Sequence, residues 1–328
     1  MMKPGAVVGT VLGALSLIMS FDAAEAAAAG KKVAYFDSGP THPYIAAMNR
    51  SFNARAKELG MVVTQFDTPY DAALQSRQID DAIARKFDAL AIQSASQSAV
   101  IPALNRAKNA GIPVILINNP MKPGLDHLYV TEIADDNPKL GRLAAESVMK
   151  ALREGGRSNA KIALITGVLA EGVAKDRLDA FNDVIKGHPD IKVVAAEDAN
   201  WDTAKSETIA GQLFARFAPQ GGLDAMVGWA DNQALAIIRA AEAARIPLGP
   251  GKGQLIVAGT NCTPDGIKAI ETGKLYSSGT QAPMTIGRKA AELVADHLNG
   301  TTLPKHVVLD VHLIDKSTVG KFAADCTY

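Results

Sequence analysis

The sequence has 328 residues, with 34 basic and 34 acidic side chains and a formal net charge of zero. Hydrophobic residues make up 48% and charged residues 21%, as in chains that bury a core. These values exclude a mostly disordered chain, a collagen and a polytopic membrane protein. The zero balance argues against a dedicated nucleic-acid binder, and the length predicts about two domains.

Residues 1–26 have the pattern of a signal peptide. Lys3 supplies a positive charge, residues 6–21 form an uncharged apolar run, and Ala24-Glu25-Ala26 has the small-x-small pattern of a cleavage site. The run is shorter than the roughly 20 residues of a membrane span. An uncleaved membrane anchor is the alternative. We expect a mature chain that starts near Ala27 and is located in the periplasm.

Apolar runs of strand length alternate with helical patterns along the rest of the chain. The predicted strands cover residues 33–36, 62–66, 89–92, 114–117, 162–165, 193–196, 225–227, 255–258 and, in a short run, 275–278. The predicted helices cover residues 44–59, 72–85, 100–109, 140–152, 173–185, 203–217, 233–244 and 284–298. Near-continuous apolar strands are typical of parallel sheets covered by helices on both faces. The βαβα order predicts a doubly wound α/β fold.

The strand count favours two Rossmann-like halves over one very large sheet. Four predicted strands precede residue 125, and at least four follow residue 160. We interpret the extended segment 125–135 between them as the crossover. Gly60, Gly111 and Gly300 follow predicted helices, where a C-cap glycine is expected.

The residues after the predicted strands indicate a binding site, since ligands of open α/β sheets bind beyond the carboxyl ends of the strands. These ends are rich in Asn, Asp, Gln, Ser and Thr, and they carry Tyr44, Trp201 and Trp229. Amides and hydroxyls donate and accept hydrogen bonds, and aromatic faces stack on small rings. This chemistry suits a neutral polyhydroxylated ligand. Each polar residue alone is explained equally well as a turn or N-cap residue.

The sequence contains two cysteines, Cys262 and Cys326. Export would place both in an oxidising compartment, and two cysteines allow one intramolecular pair. The sequence therefore predicts a disulfide that ties the last residues of the sequence to the loop at Cys262. Two buried free thiols are the alternative.

Several short motifs together point to a known family. They are His42-Pro43-Tyr44, Gly111-Ile112-Pro113-Val114-Ile115, Asp176-Arg177 with Phe181, Trp201-Asp202-Thr203-Ala204, Thr263-Pro264-Asp265-Gly266 and Gly273-Lys274-Leu275. With these motifs in this order, nearly the whole mature chain resembles a periplasmic sugar-binding protein of the ribose and galactose type. Proteins of that family are the soluble receptors of ABC importers.

The resemblance implies the periplasmic-binding-protein type I fold, with two α/β lobes that are joined by three crossovers and close on a sugar. The implied lobes are residues 27–135 with 282–310, and residues 136–281 with 311–328. The implied crossovers lie near residues 134–136, 281–282 and 310–311. The resemblance also implies a monomer, a permease in the inner membrane as partner, a small neutral sugar or polyol as ligand, and no cofactor.

The resemblance also assigns site residues. It implies that Tyr44 and Trp201 sandwich the sugar, with packing at the lobe edges as the alternative. Arg177 matches a sugar-binding arginine, whose guanidinium would span adjacent sugar oxygens. A weak surface ion pair with Asp176 or Asp179 is its alternative. The remaining matches are polar residues near strand ends and at a crossover: Ser38, His42, Asn118, Asn261 and Gln281.

Departures from the ribose-receptor pattern make the site less charged. Asn119 stands in place of an arginine, Asn261 in place of an aspartate, and Ala230 in place of an asparagine, although Asp231 follows directly. Charge-assisted hydrogen bonds are about twice as strong as neutral ones. We therefore expect a pentose, a deoxy or branched sugar, or a linear polyol rather than ribose itself. Asp37 is a further candidate hydroxyl acceptor, or else a solvated turn charge.

Other functions have less support from the sequence. An enzyme is not expected, because we find no metal-type histidine cluster, no Gly-x-Ser-x-Gly elbow, no phosphate loop and no Gly-x-Gly-x-x-Gly after the first strand. A transcription repressor core shares the fold but needs a helix-turn-helix where the signal peptide lies. Presentation of the ligand to a chemoreceptor or sensor kinase stays open, as does a non-sugar ligand on the same fold.

Overall fold

The computed structural model describes residues 27–328, and the predicted signal peptide lies outside these residues. Two six-stranded sheets form the frame of two lobes. The first sheet contains β1 (Lys32–Asp37), β2 (Val62–Asp67), β3 (Ala89–Ile92), β4 (Val114–Ile117), β5 (Thr131–Asp135) and β11 (His306–Leu309). The second sheet contains β6 (Lys161–Thr166), β7 (Lys192–Asp198), β8 (Ala225–Gly228), β9 (Ile256–Ala258), β10 (Ser277–Gly279) and β12 (Leu313–Asp315).

Helices cover both faces of each sheet. The first lobe has α1 (Pro43–Glu58), α2 (Ala72–Ala84), α3 (Ile101–Asn109) and α9 (Pro283–Leu298). The second lobe has α4 (Asn137–Glu154), α5 (Val173–Ile185), α6 (Thr203–Phe217), α7 (Asp231–Ala243), α8 (Pro264–Glu271) and the short α10 (Val319–Phe322). Among the described residues, no helix has the length and apolar character needed to cross a membrane.

The two sheets have corresponding strand orders, β11-β5-β4-β3-β1-β2 and β12-β10-β9-β8-β6-β7. All neighbouring strands are parallel except β10 and β12. The central strands β3, β4, β8 and β9 are buried at every residue, because helices pack on both of their faces. The predicted α/β architecture with two helix-covered parallel sheets is confirmed.

The chain passes between the sheets three times: from β5 into α4, from β10 into α9, and from β11 to β12. The interpretation of residues 125–135 as an extended crossover is wrong. Residues 131–135 are β5 and pair with β4 and β11 inside the first sheet, and a 3-10 turn at Asp126–Leu128 precedes them. The crossing itself is short, because α4 begins two residues after β5 ends.

Local sequence signals account for several element ends. Pro43 is the first residue of α1, and the His42 side chain accepts a hydrogen bond from the Tyr44 amide as the N-cap. Gly60, Gly111 and Gly300 follow their helices with φ angles of 75°, 72° and 85°. These left-handed backbone positions confirm the predicted C-cap glycines.

The predicted disulfide between Cys262 and Cys326 is confirmed. It joins the loop between β9 and α8 to the segment after α10, across a sequence separation of 64 residues. Both cysteines are buried in the core of the second lobe. The bond restricts the unfolded chain, which stabilises the folded state.

The double substitution Cys262→Ser with Cys326→Ser should lower the free energy of unfolding by about 4 kcal/mol, because a loop of this length regains its freedom in the unfolded chain. Urea unfolding of the variant and of the oxidised wild type measures the difference. Wild type under a reductant is the control and should lose a similar amount. Equal unfolding midpoints for oxidised and reduced protein would show that the bond contributes nothing to stability.

Candidate functional site

A cavity lies between the two lobes, where the carboxyl ends of both sheets approach each other. It contains about 350 Å³ of space that protein atoms do not fill, part of which is open to solvent. The first lobe contributes His42, Tyr44, Ile45, Tyr70, Gln93, Asn118 and Asn119. The second lobe contributes Glu171, Val173, Arg177, Trp201, Ala230 and Asn261, and Gln281 lies at the crossing from β10 to α9. Neutral amides and aromatic rings therefore make up most of the lining.

Trp201 lies in the cavity wall, in a turn whose backbone has left-handed φ angles. Both Asn200 and Trp201 have left-handed φ angles, 53° and 61°, in the turn before α6. A Cβ atom at Gly167 would overlap the Trp201 indole, so this glycine lets the ring lie against the end of β6. The His42 ring meets the Trp201 ring edge-on, with 6.2 Å between centroids. Aromatic groups from both lobes thus face the same space.

Arg177 lies in the wall of the cavity and is buried, with 4% of its surface exposed. Its Nε donates to Asn137 Oδ1 at 2.9 Å, and Nη1 donates to the Trp229 carbonyl at 2.5 Å and to Thr260 Oγ1 at 3.0 Å. Burial lowers the pKa of Arg177, and the charge of Asp135 opposes that shift. The alternative of a surface ion pair is wrong, because the guanidinium is inside the protein.

Asp135 accepts hydrogen bonds from two of the lining residues. Its Oδ2 accepts from the Tyr44 hydroxyl and from Gln281 Nε2, both at 2.8 Å. Asn261 Nδ2 donates to Gln281 Oε1 at 2.8 Å, so the chain of bonds continues into the second lobe. Burial raises the pKa of Asp135, whereas these donors and the charge of Arg177 lower it.

Glu171 is a second buried carboxylate and lines the cavity itself. It ends a single 3-10 turn, Leu169–Glu171, between β6 and α5. Its donors are Ser38, Asn119 and the Trp201 indole, at 2.7, 3.0 and 2.7 Å. Burial raises the pKa of Glu171 to about 7, against the opposing effect of these three hydrogen bonds.

The sequence matches the periplasmic binding protein domain family over residues 33–302, most of the chain. The chain belongs to this family. This periplasmic binding protein is 27% identical over 275 residues to the ribose import binding protein of Salmonella typhimurium, covering 84% of this chain and 87% of that one. It is 26% identical over 310 residues to the D-apiose import binding protein of Paraburkholderia graminis, covering 94% and 95%.

A solved structure supports the same fold. An ABC transporter solute-binding protein from Bacillus halodurans with bound myo-inositol superposes on this periplasmic binding protein with a TM-score of 0.80. The two chains are 22% identical, and the match covers 91% of this chain and 99% of the other. The two-lobed periplasmic-binding-protein architecture implied by the sequence motifs is therefore confirmed.

The structure brings eight of the eleven predicted site residues to the cavity: His42, Tyr44, Asn118, Asn119, Arg177, Trp201, Asn261 and Gln281. Ser38 lies next to it and bonds to Glu171. Their contacts with a ligand remain a prediction. Sequence reasoning missed Glu171, Asp135, Tyr70 and Gln93 as site residues. Gln93 follows β3, so its position at a strand end was the available signal. Asp135 ends β5, which the sequence analysis did not recognise as a strand, and Tyr70 and Glu171 lie three and five residues beyond the ends of β2 and β6.

Asp37 and Asp231 were predicted in the site but do not line the cavity. Asp231 is buried and accepts hydrogen bonds from the Thr263 amide and the Ser278 hydroxyl, both at 2.7 Å, so it fixes the loop before α8. Asp37 accepts from Asn49 Nδ2 at 2.7 Å within the first lobe. Asp231 and the Oδ2 atom of Asp37 therefore bond within their own lobes, whereas the buried Asp37 Oδ1 has no hydrogen-bond partner among the described residues.

Within residues 27–328, no group of three or more His, Cys, Asp and Glu side chains is arranged to hold a metal ion.

The buried Asp37 carboxyl should make folding stability depend on pH. Burial and the neighbouring Asp67 carboxylate raise the pKa of Asp37 to about 7, whereas an unfolded Asp titrates near 3.9. The folded state holds the extra proton between these two values, so the contribution of Asp37 to stability is greatest below about pH 4 and is lost as the pH rises from about 4 to 7. Asp37→Asn should make this loss smaller, as measured by urea unfolding at several pH values.

The exposed Asp190→Asn is the control and should keep the wild-type profile. Some pH dependence should remain in Asp37→Asn, because burial also raises the pKa of Asp231 to about 6 and that of Glu171 to about 7. A profile identical in slope to that of the wild type would contradict the assignment of a protonated Asp37.

Proposed function

We propose that this periplasmic binding protein is the soluble receptor of an ABC importer and binds a neutral sugar or polyol between its lobes. It is exported through its N-terminal signal peptide, works in the periplasm as a monomer, and delivers its ligand to a membrane permease without catalysis. The relatives named as ribose and D-apiose import binding proteins support this role.

One observation carries the proposal: aromatic rings and neutral amides from both lobes converge on a single cavity. Tyr44 and Trp201 offer apolar ring faces, which stack on the apolar faces of sugars. Asn118, Asn261 and Gln281 offer amide groups that both donate and accept, as sugar hydroxyls do. A charged ligand would not need so many neutral amide groups and aromatic ring faces.

His42 and Arg177 add donors to this set. The His42 Nδ1 accepts from the Tyr44 amide, so the neutral ring carries its proton on Nε2. Burial lowers the pKa of His42 to about 4, so the ring is neutral at physiological pH. Its Nε2 is buried and has no partner within the described residues, so it is assigned to a ligand oxygen. The Arg177 Nη2 group is assigned the same task, since Nε and Nη1 bind protein atoms.

Hinge motion at the three crossings, with the lobe boundaries implied by the sequence, completes the proposed mechanism. A ligand that contacts both lobes favours the closed arrangement by its differential affinity for the two states. The ligand class stays broader than ribose, because Asn119 and Asn261 replace charged residues of ribose receptors. Pentoses, deoxy or branched sugars and linear polyols all match a neutral, amide-rich site.

A thermal-shift screen tests the proposal directly. The panel contains aldopentoses, hexoses, deoxy and branched sugars, tetritols, pentitols and hexitols, with amino acids and nucleosides as controls. A ligand at 100 times its Kd adds about 2.7 kcal/mol of stability, which raises the Tm by about 5 °C or more. A shift caused by one sugar or polyol class is expected. Shifts from nucleosides or amino acids alone would contradict the sugar assignment.

Trp201→Ala should weaken binding of the panel compound identified in this way by about 1 kcal/mol or more, roughly fivefold in Kd, because stacking and buried area are lost. Isothermal titration calorimetry measures the change. Tyr276→Phe is the control, since its hydroxyl bonds to Glu154 outside the cavity. If Trp201→Ala binds as tightly as this control, Trp201 is not a ligand contact.

A further inference from the structure

Glu171 connects the two lobes through its own side chain. It belongs to the second lobe, and its exposed fraction is 2%. Its Oε1 accepts from Ser38 Oγ at 2.7 Å and from Asn119 Nδ2 at 3.0 Å, and both of these donors belong to the first lobe. Its Oε2 accepts from Trp201 Nε1 at 2.7 Å in the second lobe. One carboxylate therefore fixes a cavity-lining ring and two loops of the opposite lobe.

The backbone next to Glu171 also contacts the first lobe. The Gln97 amide, in the loop after β3, donates to the Ala170 carbonyl at 2.9 Å. The Gln97 side chain packs so closely on Gly172 that a Cβ atom there would overlap it. The turn at Leu169–Glu171 therefore meets the loops after β1, β3 and β4 together.

Separation of the lobes would break the contacts of Glu171 with Ser38 and Asn119 and expose the carboxylate to water. Charged and titratable groups face Glu171 from several elements: Asp198 at the end of β7, Arg177 on α5, and Tyr70 after β2. His42 lies across the Trp201 ring and stays neutral, because burial lowers its pKa to about 4. Arg177 keeps its charge in both arrangements, and burial raises the pKa of Tyr70 far above neutrality.

We propose that Glu171 is a positioning residue of the binding cleft, which joins the two lobes, orients Trp201, and makes closure of the lobes take up a proton. The proposal rests on the hinge motion of the proposed function but not on the identity of the ligand. Burial in the closed cleft raises the pKa of Glu171 to about 7, and a solvated Glu titrates near 4.3. The closed arrangement therefore binds more protons between these values, and a falling pH favours closure.

Hydrogen exchange of the Gln97 amide, followed by NMR on the whole mature chain, tests the proposal without any ligand. This amide is bonded across the cleft, so it exchanges when the lobes separate, and its protection factor measures the ratio of closed to open protein. The Gln93 amide bonds to the Phe36 carbonyl inside the first lobe and is the internal reference. After correction for intrinsic exchange, Gln97 protection should be higher at pH 6 than at pH 8, by up to about tenfold.

Three variants distinguish the effect of Glu171 from the effects of other carboxylates and of its hydrogen-bond partners. Glu171→Gln keeps the shape of the side chain but removes the group that titrates. The Gln97 protection of this variant should be the same at pH 6 and pH 8. Glu171→Ala should lose about tenfold or more at both pH values, because Ser38, Asn119 and Trp201 lose their common acceptor. Glu197→Gln removes a half-exposed carboxylate of the same lobe and should behave as the wild type.

Asp37→Asn should also keep the pH step, although burial and Asp67 raise the pKa of Asp37 into the same range. A pH step that persists in Glu171→Gln would overturn the proposal, and so would Gln97 protection that is absent from the wild type or unchanged in Glu171→Ala. If no sugar or polyol binds the protein, the exchange result still stands by itself. If a sugar binds but the exchange result fails, the proposal for Glu171 alone is lost.

Discussion

Arg177 and Asp135, two buried groups of opposite charge at the base of the cleft, constrain the residues that surround them. Arg177 and Asp135 are each almost fully enclosed, and a buried charge is tolerated only where a partner charge and hydrogen bonds replace water. The charge of Asp135 is the largest of those that oppose the shift caused by burial of Arg177. Asn137 accepts a hydrogen bond from Arg177, and Tyr44 and Gln281 donate to Asp135. These residues come from both lobes and from two crossings, and the bonds from Gln281 to Asp135 and from Asn261 to Gln281 connect the two lobes.

This arrangement also determines which ligands the cavity suits. The charge of Arg177 is balanced inside the protein by Asp135, and Glu171 adds a carboxylate to the lining. Little positive charge is left for an anionic ligand, and the buried carboxylate would repel one. What remains available is a set of amides, a neutral imidazole donor, the Nη2 group of Arg177 and aromatic faces. These are the groups that recognise hydroxyls and the apolar faces of a sugar or polyol.

The sequence predicted the helices and strands of both lobes well, because local sequence patterns determine them. The bounds of helices 173–185 and 203–217 agree with the structure, since both have clear apolar faces and clear starts. Strand β5 was interpreted as a crossover because its sequence, TEIAD, is short and partly polar, and only pairing with β4 and β11 makes it a strand. Eight residues that the strand-end rule and the family motifs predicted line the cavity, and their contacts with a ligand stay a prediction. Glu171 and Asp135 were missed, because their contacts cross between segments far apart in the sequence.

Tryptophan fluorescence tests the central claim most directly, because the chain has two tryptophans and one of them, Trp201, lines the cavity. Trp229 is fully buried in the second lobe. Wild type and Trp201→Phe are titrated in parallel with aldopentoses, hexoses, pentitols and myo-inositol, and with amino acids as charged controls. The account predicts a saturable change of emission with a neutral sugar or polyol in the wild type, and little or no change in Trp201→Phe. A saturable change of equal size in both proteins, or saturation by charged ligands alone, would contradict it.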